Sequence, residues 1–381
     1  MFRMSSRLKS IKSKGEFNAI TIVLCLVLAK FFAVLVICAV FGGPFQFENA
    51  VSRTQWFVKA FPTKYKLLYA LTNWDSGWYL GIAKFGYADF NYPFSFVLSP
   101  LYPIFIHLLY LVIRDIVISA VAISLVSGII WAILFEKTAE YYMSNNEAIN
   151  ITLLSTFFPV TFFVTTIAYS EPLFLLFSTG AWLLHLKQKH MGSSLLCAAC
   201  AITRNYGILY AALIFLDLAR SRKFKKAFAF SILPVVTYFA YMLYGYWISG
   251  DLLIAIHSTI MKDGPHSVGW FLFQMAQGKV IEIFPFVMAF LWYGSLVLIL
   301  CLKLFQTDGR LGSFAILMLL FFVFFTPSSS LPRYIFGSIF PLWLGVRINS
   351  RKFTYITVVI FFTFSLLLFY QFNSNLPPWY P

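Results

Sequence analysis

The sequence carries 14 acidic residues, and any chemistry has to come from the few placed where a charge is costly. Glu136, Glu140, Glu147 and Asp308 fall in short polar connections and need no special account. Asp75 and Glu171 differ. Asp75 sits in Asn73-Trp74-Asp75-Ser76-Gly77-Trp78-Tyr79. On a helix, Trp74 and Trp78 share one face, and Asp75 and Tyr79 share the neighbouring one. Indole rings favour the headgroup layer of a bilayer. The spacing therefore holds a carboxylate at a membrane rim, where it serves as a general base, a solvated aspartate or a helix cap. Glu171 follows Ala168-Tyr169-Ser170 and precedes Pro172, a setting in which capping of a helix start competes with binding.

Two arginines accompany them. Arg204 lies inside an apolar stretch, in Ala201-Ile202-Thr203-Arg204-Asn205-Tyr206-Gly207, and Arg333 in Ser330-Leu331-Pro332-Arg333-Tyr334. A guanidinium is a planar donor fork that suits phosphate and stays charged when partly buried. The plainer readings are snorkelling, or pairing with Glu171 or Asp75. Lys30 interrupts the first apolar run and is read as paired inside the bundle, without a role. Asp251, His257, Lys262, Asp263 and His266 fall in segment 249–280, read as a hydrated loop with an acceptor-side wall as the alternative. The patterns G-x-x-x-x-G-K-[ST], H-E-x-x-H and G-x-S-x-G are missing, and so is a D-x-D pair, so ATP hydrolysis, zinc proteolysis and hydrolase chemistry lack support.

The elements that must position these side chains are apolar runs. Of 381 residues, 60% are hydrophobic and 11% charged, against about a quarter charged in soluble domains. With a mean hydropathy of +0.80, this composition excludes a cytosolic globular enzyme, a disordered chain and a disulfide scaffold. The fold class expected is all-α, a polytopic membrane bundle. Spans are expected at 19–41, 115–135, 149–168, 172–186, 227–248, 281–302, 311–327, 333–346 and 353–371. Segment 193–217 is apolar but interrupted at Arg204-Asn205. The domain division is a basic N-terminus at 1–18, one transmembrane unit at 19–371 with a first outer loop at 43–114, and a tail at 372–381.

The net charge of +15 comes from Lys and Arg clustered in short loops, such as Arg220, Arg222, Lys223, Lys225 and Lys226. That is the positive-inside pattern of an integral multi-pass membrane protein, and it speaks against nucleic acid as a partner. With the N-terminus cytoplasmic, the 220–226 cluster stays inside only if 193–217 enters and returns as two half-spans bent at Arg204-Asn205. Asp75, Glu171 and Arg333 then share the extracytoplasmic face, and Arg204 reaches it from the bend. Segment 94–113 is apolar enough to span, which would invert everything downstream, but Pro93, Pro100 and Pro103 break its first half and short helices along the outer interface fit better. The five cysteines lie in apolar runs and read as packing residues, Cys197-x-x-Cys200 included.

These residues resemble the GPI second-mannose transferases (PIG-V type) and their prokaryotic relatives, membrane glycosyltransferases of the GT-C class. The likeness rests on Trp74-Asp75-Ser76-Gly77-Trp78-Tyr79 with Phe85-Gly86-Tyr87, on Ser99-Pro100-Leu101-Tyr102-Pro103, and on Phe158-Pro159 with Ala168-Tyr169-Ser170-Glu171-Pro172-Leu173-Phe174. Thr203-Arg204-Asn205-Tyr206-Gly207 and the weaker Leu331-Pro332-Arg333-Tyr334 complete it. The resemblance implies a GT-C bundle of about 9–11 spans. It also implies a polyprenyl-phosphate sugar donor such as dolichyl phosphate mannose, a glycan or glycolipid acceptor, membrane lipid around the chain, and inverting transfer at the extracytoplasmic face of a cell or endoplasmic reticulum membrane.

Within it, Asp75 is the catalytic base and Arg204 and Arg333 bind the donor phosphate. Trp74, Trp78, Tyr87, Tyr169, Glu171 and Asn205 meet sugar or acceptor. The reaction demands no metal and no cofactor, although the carboxylates could hold a cation. Pro172 and Tyr206 depart from the family pattern, and the acceptor is not carried over with it. A transporter or flippase of lipid-linked substrates is the competing class, since broken helices and membrane charges suit it as well.

Overall fold

A computed structural model of the chain describes residues 15–40, 59–72, 75–263, 280–325 and 331–373. Trp74, His266, the basic cluster from Arg3 to Lys14, the side chains of Lys262 and Asp263, and residues 374–381 lie outside the described residues. Every regular element among them is helical. Helix α1 (Gly15–Val40) leads to a 3-10 turn (Lys66–Leu71), α2 (Ser76–Phe85), a second 3-10 turn (Phe94–Val97), α3 (Leu101–Ile113) and α4 (Ile116–Ala139). Then come α5 (Asn145–Phe157), α6 (Pro159–Val164), α7 (Glu171–Leu186), α8 (His190–Thr203), α9 (Ile208–Arg220) and α10 (Phe224–Ser249). The remainder is α11 (Ile254–Asp263), α12 (Val280–Thr307), α13 (Gly309–Phe325), α14 (Leu331–Ser338) and α15 (Arg351–Asn373). Among the described residues, α4 and α10 are long and apolar enough to cross a membrane. Helix α3 has 13 residues, short of the roughly twenty that a crossing needs, and it leaves Ile104, Leu108 and Val112 exposed.

The bundle has two chemically distinct ends. At one, Arg310 joins Asp308 (2.7 Å) to Asp217 (2.9 Å), and His185 Nε2 meets Asp217 at 2.8 Å. Nearby, the Trp182 indole donates to the Tyr142 hydroxyl (2.9 Å), and Arg347 donates to the Tyr142 carbonyl (3.0 Å). These contacts tie together the ends of α4, α7, α9 and α12. The capping box of α5 belongs to the same end, and hydrogen bonds from Ser144 hold the Glu147 carboxyl below its usual range. The residues singled out for chemistry gather at the other end.

The path of 190–220 decides how they get there. Helix α7 ends at the His185–Asp217 contact, and Asp217 is on α9, so α8 and α9 leave that end and return to it. The Ser194 hydroxyl, on the outgoing arm, donates to the Phe230 carbonyl on α10 (2.5 Å). The turn is where the sequence was read to bend. Arg204 is extended (φ −149, ψ 137), and a 3-10 turn, Asn205–Gly207, restarts the helix. A Cβ at Gly207 would collide with the Cys200 backbone carbonyl, which no side-chain rotation relieves. Gly207→Ala should therefore open the turn and cost about 1–3 kcal/mol, read as a lowered Tm of the detergent-purified protein.

Two expected spans are broken instead. Segment 149–168 splits at Phe158 (φ −54, ψ 129), because Pro159 disfavours a helical residue before it and suits the first position of the next helix. The Phe158 ring packs on Phe336 (4.4 Å), Trp343 (5.1 Å) and Phe361 (5.5 Å). Segment 333–346 is α14 followed by a 3-10 turn, Phe340–Gly345, with Pro341 in its first residues. After α6 the chain runs irregularly to Ser170, and it is fastened there. The Ser124 hydroxyl donates to the Tyr169 carbonyl (2.9 Å) and accepts from its N–H (3.1 Å), while the Ala168 N–H donates to Leu71 (2.8 Å). The irregular stretch after α6 thus carries Tyr169 and Ser170, and the start of α14 carries Arg333. Lys30 is buried, donates to the Thr165 hydroxyl (2.7 Å) and lies 4.4 Å from the Phe162 ring.

Candidate active site

Asp75 immediately precedes α2, where its backbone carbonyl accepts from the Trp78 N–H at 3.0 Å. Its side chain makes no capping bond, so the helix-cap reading is set aside. The carboxylate faces Arg333 instead, with Nη1 to Oδ2 at 2.7 Å. Arg333 Nε lies 3.2 Å from Glu171 Oε1, and Arg204 Nη1 lies 2.7 Å from the same oxygen. The four charges read in the sequence therefore form one alternating row, Asp75–Arg333–Glu171–Arg204. It is drawn from four elements: the turn before α2, the start of α14, the start of α7 and the bend between α8 and α9.

Exposure divides this row into an outer and an inner pair. The Asp75 and Arg333 side chains are 23% and 17% accessible, whereas Arg204 and Glu171 are 8% and 1%. The outer pair can meet a ligand. The inner pair is a foundation. Arg204 also donates to the Ser170 hydroxyl (3.2 Å), which is itself bonded to the Tyr79 hydroxyl (2.7 Å). Rings flank both guanidinium groups: Arg204 lies 4.7 Å from Tyr334 and 5.3 Å from Tyr206, and Arg333 lies 5.0 Å from Tyr169 and 5.3 Å from Tyr334. Such faces hold a cation by its quadrupole attraction without consuming an N–H donor. The arrangement fits a proton acceptor beside a fixed positive site that faces an anion, in surroundings of low dielectric where both act strongly.

The remaining expected residues divide. The Tyr169 hydroxyl accepts from the Asp75 N–H (3.3 Å) and so sits at the row. Trp78 is half-buried, edge-on to Phe90 at 6.0 Å. Tyr87, expected at the substrate, is buried and donates to the Leu98 carbonyl (2.7 Å). Asn205, expected there too, accepts from the Ser99 hydroxyl (2.8 Å). Those two link one sequence block to another, and that use of their polar groups depends on packing that spacing does not report. Ser170 and Tyr334 are at the site without having been singled out. Their signal was adjacency, one to Glu171 and the other to Arg333. Asp251 belongs to a local turn, where the His257 ring and the Leu253 N–H hold its carboxyl below the usual range.

Glu171 is seated by a close approach. A Cβ on Gly337 would lie 2.8 Å from Glu171 Cγ, and the two ion pairs leave that side chain little freedom to yield. Gly337→Ala should displace Glu171, with a cost of about 1–3 kcal/mol in stability. Transfer should fall by about tenfold or more, since loss of preorganised charge is felt directly in rate. Thermal unfolding in detergent and a transfer assay read the two effects separately.

The profile of the Mannosyltransferase (PIG-V) family matches residues 22–292. The chain belongs to this family. No curated protein and no solved structure matches the chain. Membership of the mannosyltransferase family supports a mannosyltransferase activity, and with it a sugar donor and a glycan or lipid acceptor in general terms. The matched stretch contains Asp75, Glu171 and Arg204, but Arg333 lies beyond it. The fold brings that residue to Asp75 and Glu171.

Proposed function

We propose that the chain is an inverting mannosyltransferase that moves mannose from a polyprenyl-phosphate donor to a lipid-linked or glycan acceptor. It works as one polytopic membrane domain of GT-C type over residues 19–371, with α2 and α3 along the outer interface. The observation that carries this is the Asp75–Arg333 pair at 2.7 Å, accessible at the rim and backed by the buried Glu171–Arg204 pair. The acceptor hydroxyl attacks the anomeric carbon from the face opposite the phosphate. Its O–H bond breaks as the new C–O bond forms, and Asp75 takes the proton as general base. The bond from carbon to phosphate oxygen breaks toward the phosphate, which leaves as an anion beside Arg333 and needs no second carboxylic acid to protonate it. Arg204 supports this site through Glu171. Tyr169 sets the Asp75 backbone, and Trp78 stands at its edge.

Charge supports an assignment of the side of the membrane. The Arg220–Lys226 cluster lies next to the end of the bundle opposite the row, and basic loops stay cytoplasmic. The row then faces the extracytoplasmic side. Purified protein in detergent or liposomes, given polyprenyl-phosphate mannose and a panel of glycolipid and glycan acceptors, should form a mannosylated product of inverted anomeric configuration. Retention of configuration, or transfer from a nucleotide sugar in place of the lipid donor, would overturn the reading.

A further inference from the structure

Each half of the charge row has a different freedom. Arg204 is held by Glu171, by the Ser170 hydroxyl and by two aromatic faces, and it is almost wholly buried. Arg333 has accessible surface, and its Nη1 contact is to the carboxylate that takes the acceptor proton in the mechanism above. Glu171 lies 3.2 Å from its Nε, so a counter-charge stays beside the guanidinium if the outer contact is lost. Formally the row holds two positive and two negative charges, and it balances at rest.

Transfer disturbs that balance in one way. One proton moves from the acceptor hydroxyl to Asp75, and one electron pair moves from the breaking C–O bond to the phosphate. Asp75 becomes neutral as the phosphate gains a negative charge. Of the two cations, Arg333 is the one whose carboxylate partner is neutralised.

We propose that Arg333 exchanges partners during the reaction, passing from the Asp75 carboxylate to the departing phosphate as Asp75 is protonated. Proton removal and leaving-group stabilisation are thereby coupled through one guanidinium. This rests on the mannosyl-transfer reading and deepens it. Before transfer, Asp75 competes with the phosphate for Arg333 and keeps the product state weak. Afterwards, loss of the proton from Asp75 to water restores the pair and expels the polyprenyl monophosphate. The device favours the transition state and product charge over the ground state, which is where binding energy raises turnover.

The test is a binding cycle, read without catalysis. Calorimetry in detergent micelles measures affinity for a polyprenyl monophosphate in four full-length proteins: unaltered, Asp75→Asn, Arg333→Gln and the double variant. Asp75→Asn imitates the protonated base. It should tighten binding about tenfold, and in the Arg333→Gln background the same change should gain less than about twofold. Equal gains in both backgrounds would mean simple removal of a repelling carboxylate and would overturn the exchange, as would no gain with Arg333 intact. Asp75→Ala repeats the measurement should the Asn variant fold poorly. Failure of the underlying function looks different, because the unaltered protein would then bind neither the polyprenyl monophosphate nor the mannosyl donor.

Discussion

Asp75→Asn should leave a folded protein whose mannosyl transfer is reduced by about 10²–10⁴, the range that a positioned general base contributes. The amide is nearly isosteric and leaves unchanged the backbone contacts that seat residue 75, namely the bond from its N–H to Tyr169 and the start of α2 on its carbonyl. What it removes is a proton acceptor and a charge opposite Arg333. Asn keeps a polar partner opposite Arg333, which still lies 3.2 Å from Glu171, so the effect on stability is about 1–2 kcal/mol. A lowered rate with little change in thermal unfolding is therefore the expected signature. Transfer at the unaltered rate would remove Asp75 from the chemistry, and a collapse of stability would return it to a structural role.

Arg333→Ala is the second large effect, and it should fall mainly on the donor. Truncation removes the accessible guanidinium between Asp75 and Glu171, so the site loses the cation nearest the leaving phosphate while Arg204 stays in place behind Glu171. Loss of one preorganised charge donor costs about 10²–10³ in turnover. The donor KM should rise more than the acceptor KM, since the acceptor meets Asp75. Arg333→Lys should recover only part of the rate, because an ammonium lacks the second nitrogen that lies beside Glu171 while Nη1 meets Asp75. Equal effects on both substrates would place Arg333 in scaffolding.

Much of this architecture is legible without coordinates where local pattern decides it. One charged and one amide residue, ending one apolar half-helix and opening another, mark the Arg204-Asn205 bend, and loop charge requires that bend to return. The break at Phe158 was also written locally, in Pro159, but the run of apolar residues on either side hid it within a single expected span. The pairing order Asp75–Arg333–Glu171–Arg204 is a different matter. Spacing identifies which charges are expensive, and only the packing of α14 against the start of α7 decides which carboxylate each guanidinium meets. Tyr87 and Asn205 show the same limit from the other side. Their types and neighbours suit a substrate site, yet tertiary contacts engage their polar groups with Leu98 and Ser99.

The lateness of Arg333 in the chain has a consequence for biogenesis. The ribosome delivers Asp75, Glu171 and Arg204 first, and domains begin to organise from the N-terminus while translation continues. Until α14 emerges, a nascent chain holds Asp75 without the counter-ion that completes the row, and under the proposed function it lacks its outer cation for the donor phosphate. Under the proposed mechanism, a chain that stops upstream of that helix keeps Asp75, Glu171 and Arg204 and lacks the guanidinium that faces Asp75.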